Sequence, residues 1–296
     1  MISFVNAKIN LGLRITGKLP NGYHTLETIF IPIGKMNGTP LFPYPFNDIL
    51  EISPASSDED VLNLFGETID CPLDKNIVYK ALVLFNKEIS KIHDRKYFKI
   101  LLDKRIPFGA GLGGGSADAA FTLKMLNSFY DSPFSENKLA EMALSLGADC
   151  PFFIYNTPCL ATGIGENLEK IDLNLSDYQC LLIKPDINIS TKEAYAGVVI
   201  NNKENQLTLK EIVTKFSIEE WRNHIFNDFE VSLFPKYPKL QQIKEELYEA
   251  GALYASMSGS GSTIYGLFPK DTDISVIISD FKQKQKHSLS VLPVSL

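Results

Sequence analysis

No stretch of this 296-residue chain approaches the run of about 18 apolar residues that a membrane-spanning helix requires. The opening residues, Met1-Ile2-Ser3-Phe4-Val5-Asn6-Ala7-Lys8, also lack the charged-then-apolar pattern of a secretory leader. The expectation is a soluble, cytoplasmic protein without a membrane partner. Basic residues are in the minority: 29 Lys and Arg stand against 35 Asp and Glu, a net charge of −6. A nucleic-acid surface would announce itself as a basic patch or stripe, so no nucleic-acid partner is expected. An acidic chain that meets polyphosphate must concentrate its cations locally. Cysteine is scarce, and Cys71, Cys150, Cys159 and Cys180 show neither CxxC nor Cys/His ligand spacing. That argues against zinc and for buried thiols in a reducing compartment. Internal repeats and low-complexity tracts are absent too.

What the chain does have is a glycine-rich stretch, Pro107-Phe108-Gly109-Ala110-Gly111-Leu112-Gly113-Gly114-Gly115-Ser116-Ala117-Asp118-Ala119-Ala120. Glycine admits positive φ and lets backbone amides approach a ligand with no Cβ in the way. A helix start behind such a loop adds unpaired N–H groups and partial positive charge. Together these cradle phosphate. Gly109, Gly111 and Gly114 satisfy a GxGxxG pattern, but residues 103–107 separate the preceding strand from the glycines. No second strand ending in an acidic residue follows, so a dinucleotide fold is disfavoured. A P-loop needs Gly-Lys-Ser/Thr, and Gly115-Ser116 has no lysine between them.

Periodicity organises the rest. Residues 2–13 read as a strand or strand pair, 34–72 as short strands joined by loops, and 76–89 as a helix with Ile77, Val78, Ala81, Leu82, Phe85 and Ile89 on one face. Residues 97–102 form a strand into the glycine loop, with a helix over 116–130 behind it. Ser135 caps a further helix that stops near Gly147. Residues 179–184 read as a buried strand, 200–210 as a polar surface loop, and Ser217 with Glu220 as a capping box before a short helix. A helix over 239–250 is followed by strands at 253–257 and 263–268 that bracket a second glycine cluster, Ser258-Gly259-Ser260-Gly261-Ser262. Strands and helices do not alternate strictly, which favours α+β over a doubly wound sheet. A boundary near residue 160 divides the chain into domains over 1–160 and 161–296.

Proline followed by Gly-Leu-Gly and small residues opening a helix resembles the second motif of the GHMP kinases, which phosphorylate small alcohols and acids. The N-terminal motif of that family appears as Ala7-Lys8-Ile9-Asn10-Leu11, and its C-terminal glycine motif as residues 258–262. Further segments narrow the resemblance: Gly22-Tyr23-His24, Gly113-Gly114-Gly115-Ser116-Ala117-Asp118-Ala119-Ala120, Gly147-Ala148-Asp149-Cys150-Pro151-Phe152-Phe153 and Asn227-Asp228-Phe229-Glu230. They are similar to the branch that phosphorylates a cytidine-diphosphate alcohol in the non-mevalonate isoprenoid route. The resemblance covers the whole chain.

It implies a two-domain GHMP kinase fold, with a ribosomal protein S5 domain 2-like N-terminal domain and a ferredoxin-like C-terminal domain. It implies ATP and Mg²⁺ as cofactors and a small-molecule substrate, on a monomer or weak homodimer. By the same resemblance Asp149 is the catalytic base and Lys8 its cationic partner. From the residues alone, Asp149 is also a helix-end cap and Lys8 an edge-strand lysine reaching solvent. Pro151 biases Cys150 toward extended backbone, which makes a rigid mount for Asp149. Pro107, Phe108, Gly109, Ala110, Gly111, Leu112, Gly113, Gly114, Gly115, Ser116 and Ala117 wrap the nucleotide. Asn76 and Lys104 resemble positions near adenine, although Asn76 also reads as a plain N-cap. Asn10, Tyr23 and His24 resemble cytidine-site residues, with Tyr195 as a second aromatic. The cluster at 258–262 either closes the site or is a hairpin turn. Many GHMP kinases place serines directly after Gly-Leu-Gly. Here Gly114 and Gly115 stand there, which leaves the protein ligands of the metal unassigned.

Overall fold

The computed structural model describes residues 1–34, 46–67, 71–198, 200, 206–284, 289–294 and 296. They form two compact units that interleave along the chain. One falls within residues 1–7, 36–108 and 113–157; the other within 8–35, 109–112 and 158–296. The expected single break at 160 differs from this pattern for a physical reason. Strand pairing draws residues 8–33 to the segment after 158, so an early stretch belongs with the later half.

In the first unit, strands β1 (Ile2–Val5), β4 (Asp48–Pro54), β5 (Val61–Gly66) and β6 (Phe98–Lys104) form one sheet in the order β1-β4-β6-β5. The β1/β4 and β4/β6 pairs are antiparallel and β5/β6 is parallel. Helix α1 (Ile77–Ile89) buries Val78, Ala81, Leu82, Phe85 and Ile89, the face that the 3.6-residue period picks out. It packs on α2 (Gly114–Ser128), which follows the glycine loop. Helix α3 (Glu136–Leu144) is capped by Ser135, whose hydroxyl accepts from Lys138 N at 3.2 Å. Helix α4 (Cys150–Tyr155) follows directly, and here the extended backbone expected at Cys150 is corrected: Cys150 is the first helical residue. Proline is tolerated in a first turn because its missing N–H would have no intrahelical partner there.

The second unit holds two sheets. One orders β2 (Ala7–Lys18), β3 (His24–Ile33), β7 (Cys159–Thr162) and β8 (Asn167–Lys170) as β2-β3-β7-β8. The other orders β9 (Tyr178–Pro185), β10 (Tyr254–Met257), β11 (Ile264–Pro269) and β12 (Leu289–Val294) as β10-β11-β9-β12, all antiparallel. Helices α5 (Thr191–Ala196), α6 (Leu209–Lys215), α7 (Asp228–Leu233), α8 (Pro238–Glu249) and α9 (Ile274–Lys284) complete it. The core includes Leu13, Ile15, Leu26, Leu181, Phe229, Leu240, Leu247, Met257 and Phe268.

Two local expectations are corrected. Of the surface loop expected over 200–210, residues 201–205 lie outside the described residues, and 209–210 already belong to α6, opened by a capping box in which Thr208 and Glu211 satisfy each other's backbone. Ser217 donates its amide and hydroxyl to Glu220 Oε2, but Glu220 N bonds Ser217 O instead of the hydroxyl, and only a single 3-10 turn, Trp221–Asn223, follows. The strands expected within 34–72 are β4 and β5, and the parts of that stretch at 35–45 and 68–70 lie outside the described residues. Among the described residues no helix is long and apolar enough to cross a membrane.

Candidate active site

In the first unit the glycine stretch ends as a helix N-terminus. Gly113 takes φ +72°, a left-handed conformation, and stands at the N-cap of α2. No side chain caps that end, and its first turn carries no acidic residue. The first amides of α2 and the positive end of its dipole are therefore left for an anion. The first intrahelical bond runs from Ala117 N to Gly113 O at 2.9 Å. Gly114 is required by packing: a Cβ there would lie 2.9 Å from Ile106 Cγ2 and 3.3 Å from Lys104 Nζ. Gly115 meets only an ordinary contact, Ile77 Cγ2 at 3.9 Å, so steric need does not explain it. Phe108, at the entrance of the loop, is 71% exposed, with its amide 3.3 Å from Glu67 Oε2.

Asp149 is the N-cap residue of α4, but its side chain does not cap the helix. Its neighbour Cys150 is hydrogen-bonded with Ser116, in the first turn of α2, and burial pushes the Cys150 thiol up to about 12. The thiol thus stays protonated at neutral pH and serves as a tether. It links the helix start that carries Asp149 to the uncapped start of α2. Asn76 caps α1, its Oδ1 accepting from Val78 N at 2.9 Å.

Lys104, 3% exposed, lies at the end of β6 with its Nζ on Asp48 Oδ2 and 2.7 Å from Asp118 Oδ2. Asp48 Oδ1 also accepts from the amides of Arg105 and Ile106, at 2.6 and 2.9 Å, which fixes the turn leading to Pro107. Two buried carboxylates share one ammonium. Burial, together with the nearby Asp48 charge, raises the Asp118 pKa well above the ordinary carboxylate range, against the pull of Lys104. The same two carboxylates raise Lys104 despite its own burial. Asp118 Oδ1 has no hydrogen-bond partner.

In the second unit the strand period of two puts Lys8 and Asn10 on one face of β2, opposite Ile9 and Leu11. Lys8 is 4% exposed, so the reading of an edge lysine reaching solvent is corrected. Its Nζ donates to Asn10 Oδ1 at 2.5 Å and sits 5.0 Å from the centroid of the Phe30 ring. Asn10 Nδ2 donates to Thr28 Oγ1 at 3.0 Å, and Thr28 Oγ1 donates to Gly12 O at 2.5 Å. Both ends of the Asn10 amide are thereby engaged, one of them on Lys8, so the residue expected at the cytidine site stands beside the lysine.

Loop residues 109–112 belong to this same unit. Lys8 N donates to Leu112 O at 2.9 Å, Thr263 N to Ala110 O at 3.4 Å, and Ser258 Oγ to Gly111 O at 2.8 Å. Gly111 has φ +76°, and a Cβ on it would fall 2.0 Å from Ser258 O. Close backbone approach with positive φ is thus met here by glycine alone. Gly109 also has positive φ, +64°, but open space around its would-be Cβ. The second glycine cluster does join β10 to β11, as a hairpin turn would, and it also rests against the first glycine loop.

His24 and Tyr195 stack, with centroids 4.9 Å apart and rings inclined by 19°. Tyr195 meets the Phe229 ring edge-on at 4.9 Å. Tyr23 is 61% exposed. The structure therefore brings two of the three aromatic candidates into direct contact and leaves the third facing solvent. Sequence reasoning missed Thr28, Phe30, Asp48 and the roles of Asp118, Asn227 and Glu230. Asp118 and Asn227 lay inside recognised motifs, while Asp48 sits next to residues 35–45 in a stretch with no motif.

Among the described residues no group of three or more His, Cys, Asp or Glu is arranged to hold a metal ion. The uncapped start of α2 and its glycine approach fit the phosphates of a nucleotide, whereas no set of side chains among the described residues forms a cage for magnesium.

The chain matches two family profiles, described as GHMP kinases N terminal domain over residues 76–157 and GHMP kinases C terminal over residues 209–287. It is 48% identical to the 4-diphosphocytidyl-2-C-methyl-D-erythritol kinase of Parabacteroides distasonis, covering 92% of this chain and 93% of that one. The enzyme of the same name from Bacteroides thetaiotaomicron is 47% identical, over 90% and 92% of the two chains. A crystal structure of a 4-(cytidine 5'-diphospho)-2C-methyl-D-erythritol kinase superposes with a TM-score of 0.75 at 26% identity, covering 100% of both chains. The mevalonate kinase of Methanococcus jannaschii shares the fold, with a TM-score of 0.70 at 16% identity over 100% and 98% of the chains. The chain belongs to the GHMP kinases, within the family of the 4-diphosphocytidyl-2-C-methyl-D-erythritol kinases.

Proposed function

We propose that the protein transfers the γ-phosphoryl group of ATP to the 2-hydroxyl of 4-diphosphocytidyl-2-C-methyl-D-erythritol. The observation that carries this reading is near-half identity along almost the whole chain to enzymes bearing that one name. The buried Lys8–Asn10–Thr28 chain and the uncapped start of α2 support it with chemistry suited to phosphoryl transfer.

ATP supplies the phosphoryl group. The protein's task is placement and charge stabilisation, because the transition state of phosphoryl transfer is loose and needs little covalent help. The amides that open α2, with residues 107–117, hold the phosphates. Asp149 accepts the proton of the 2-hydroxyl as its oxygen bonds to the γ-phosphorus and the bond to ADP breaks. Lys8, oriented by Asn10, stabilises the negative charge on the transferring group. His24 hydrogen-bonds the cytosine edge, with Tyr23 and Tyr195 supplying aromatic faces. Lys104 and Asn76 shape the nucleotide side. Mg²⁺ would come with ATP, held by its phosphates and water rather than by protein side chains, and would offset the phosphate charge. The enzyme works in the cytoplasm as a monomer or weak homodimer.

The test is ADP release with three alcohols offered in turn: the cytidine-diphosphate alcohol, mevalonate and homoserine. Turnover on the first alone is expected. Turnover only on the other two would refute the reading, and the mevalonate and homoserine kinases that share the fold make them the pertinent competitors.

A further inference from the structure

The segment Asn227-Asp228-Phe229-Glu230 carries no assigned role, yet within the second unit its side chains touch β2, the 256–259 turn and Tyr195. Asn227 is the N-cap of α7, its Oδ1 accepting from Phe229 N at 3.0 Å. Its Nδ2 donates to two carbonyls of the glycine cluster, Met257 O at 2.8 Å and Gly259 O at 2.9 Å. Glu230 Oε1 accepts from Met257 N at 2.8 Å and from Ser256 Oγ at 3.1 Å, while its Oε2 is held by Lys244 Nζ at 2.6 Å. Residues 256–259 are thus gripped from both sides by one short turn. Asp228 Oδ2 accepts from Ile15 N at 2.7 Å, and Leu13 N donates to Phe226 O at 2.9 Å, so the same turn also grips β2.

What lies within that grip is Ser258. Its hydroxyl accepts from Asn10 N at 3.2 Å and donates to Gly111 O at 2.8 Å, joining the strand of Lys8 to the nucleotide loop. Gly259 would, with a Cβ, stand 3.2 Å from Asn10 Oδ1, the acceptor that Lys8 uses. Phe229, between the two gripping residues, meets Tyr195 edge-on, and Tyr195 in turn stacks on His24. Asn227 is 1% exposed and Glu230 8%, so neither touches a ligand through solvent. Two buried polar residues with this many bonds to one loop do more than close a helix end.

We propose that Asn227 and Glu230 are positioning residues for phosphoryl transfer, holding residues 256–259 in the register at which Ser258 ties the Lys8–Asn10 strand to Gly111. Phe229, on the same turn, supports the ring pair. The ends of this segment and the Phe229 between them therefore govern different kinetic parameters. This proposal rests on the kinase reading above.

Asn227→Asp is the sharpest variant, because a carboxylate keeps the N-cap acceptor and puts an acceptor where the donor to Met257 O and Gly259 O stood. Misplacement of reacting groups by a fraction of an ångström to 1 Å lowers kcat by about 10- to 100-fold. Asn227→Asp is expected to do so with KM values for both substrates within about 3-fold, whereas Phe229→Leu raises KM for the cytidine-diphosphate alcohol. Ser258→Ala should resemble Asn227→Asp, and the double variant should be no worse than the weaker single one, since both break one chain of contacts. Equal loss of kcat and of folded protein in all variants, or independent additive effects of Asn227→Asp and Ser258→Ala, would overturn the proposal. Amide hydrogen exchange needs no substrate: exchange at Asn10 N should quicken in Asn227→Asp, and unchanged protection there would also overturn it. An inactive parent protein would instead refute the kinase reading, leaving the exchange measurement to decide the clamp.

Discussion

Replacing Gly111 by alanine places a methyl group against a backbone carbonyl, and the structure sets the size of the effect. The left-handed backbone at φ +76° costs alanine about 1–2 kcal/mol. The added Cβ would sit 2.0 Å from Ser258 O, where ordinary contact begins at 3.4 Å, so some 3.4 − 2.0 = 1.4 Å must be yielded. The obstacle is main chain held by Asn227 and Glu230, not a flexible side-chain tip. Overpacking of that kind costs about 1–3 kcal/mol. Loss of the 2.8 Å bond from Ser258 Oγ to Gly111 O adds about 1 kcal/mol. The total is about 3–6 kcal/mol. Gly109→Ala is the matched control: its φ is +64° with nothing within 4 Å of the new Cβ, so only the backbone cost of about 1–2 kcal/mol applies. Urea denaturation followed by fluorescence, and thermal unfolding, measure the two side by side. Gly111→Ala should melt about 5–15 °C below Gly109→Ala, taking about 2–4 °C per kcal/mol for a unit of this size. Equal midpoints would show that the two glycine segments do not meet as described.

Three further outcomes follow from the site. Asp149→Asn should lower kcat by about 10²- to 10⁴-fold while ATP affinity, read by calorimetry, stays within about 3-fold; near-normal turnover would remove Asp149 from the chemistry. His24→Ala and Tyr195→Ala should each raise KM for the cytidine-diphosphate alcohol with a smaller change in kcat, because each ring supports the other at 4.9 Å; an unchanged KM in both would contradict the pairing. Asp118 has a folded-state pKa raised above its unfolded value, so the stability it lends is present below the unfolded pKa and is lost as pH rises through the folded one. Asp118→Asn stays neutral throughout, so the parent should lose stability relative to this variant as pH rises above the ordinary carboxylate pKa of about 4. A constant gap between their urea midpoints over that range would argue against two carboxylates competing for Lys104.

Local rules carried far in this chain. The apolar period of α1, the Ser135 cap, and the strands flanking the second glycine cluster all rest on nearest-neighbour chemistry, and all are where such rules put them. The motif at Lys8-Ile9-Asn10 was visible, but not the division of labour within it. Only the pleat, with Thr28 arriving from the next strand, reveals that Asn10 spends its amide on orienting the lysine. Lys104 read as a nucleotide-side residue, and its two buried carboxylates come from positions 56 residues before it and 14 after it, separations no local pattern encodes. Asp48 carries no motif and emerged only from pairing in three dimensions. The interleaving of the two units has the same origin, since β3 finds its neighbour in β7, far along the chain. Proline at 151 misled in the opposite sense: its bias on the preceding residue gave way to the helix that starts at Cys150.

The most direct test of the central claim is the chemical identity of the product. Purified protein is incubated with ATP, magnesium and 4-diphosphocytidyl-2-C-methyl-D-erythritol, and the mixture is followed by phosphorus NMR. The account predicts a new phosphomonoester resonance on the 2-oxygen, growing in step with ADP, with the cytidine diphosphate group intact. ADP formed without that resonance, or no reaction while mevalonate or homoserine is phosphorylated, would contradict it.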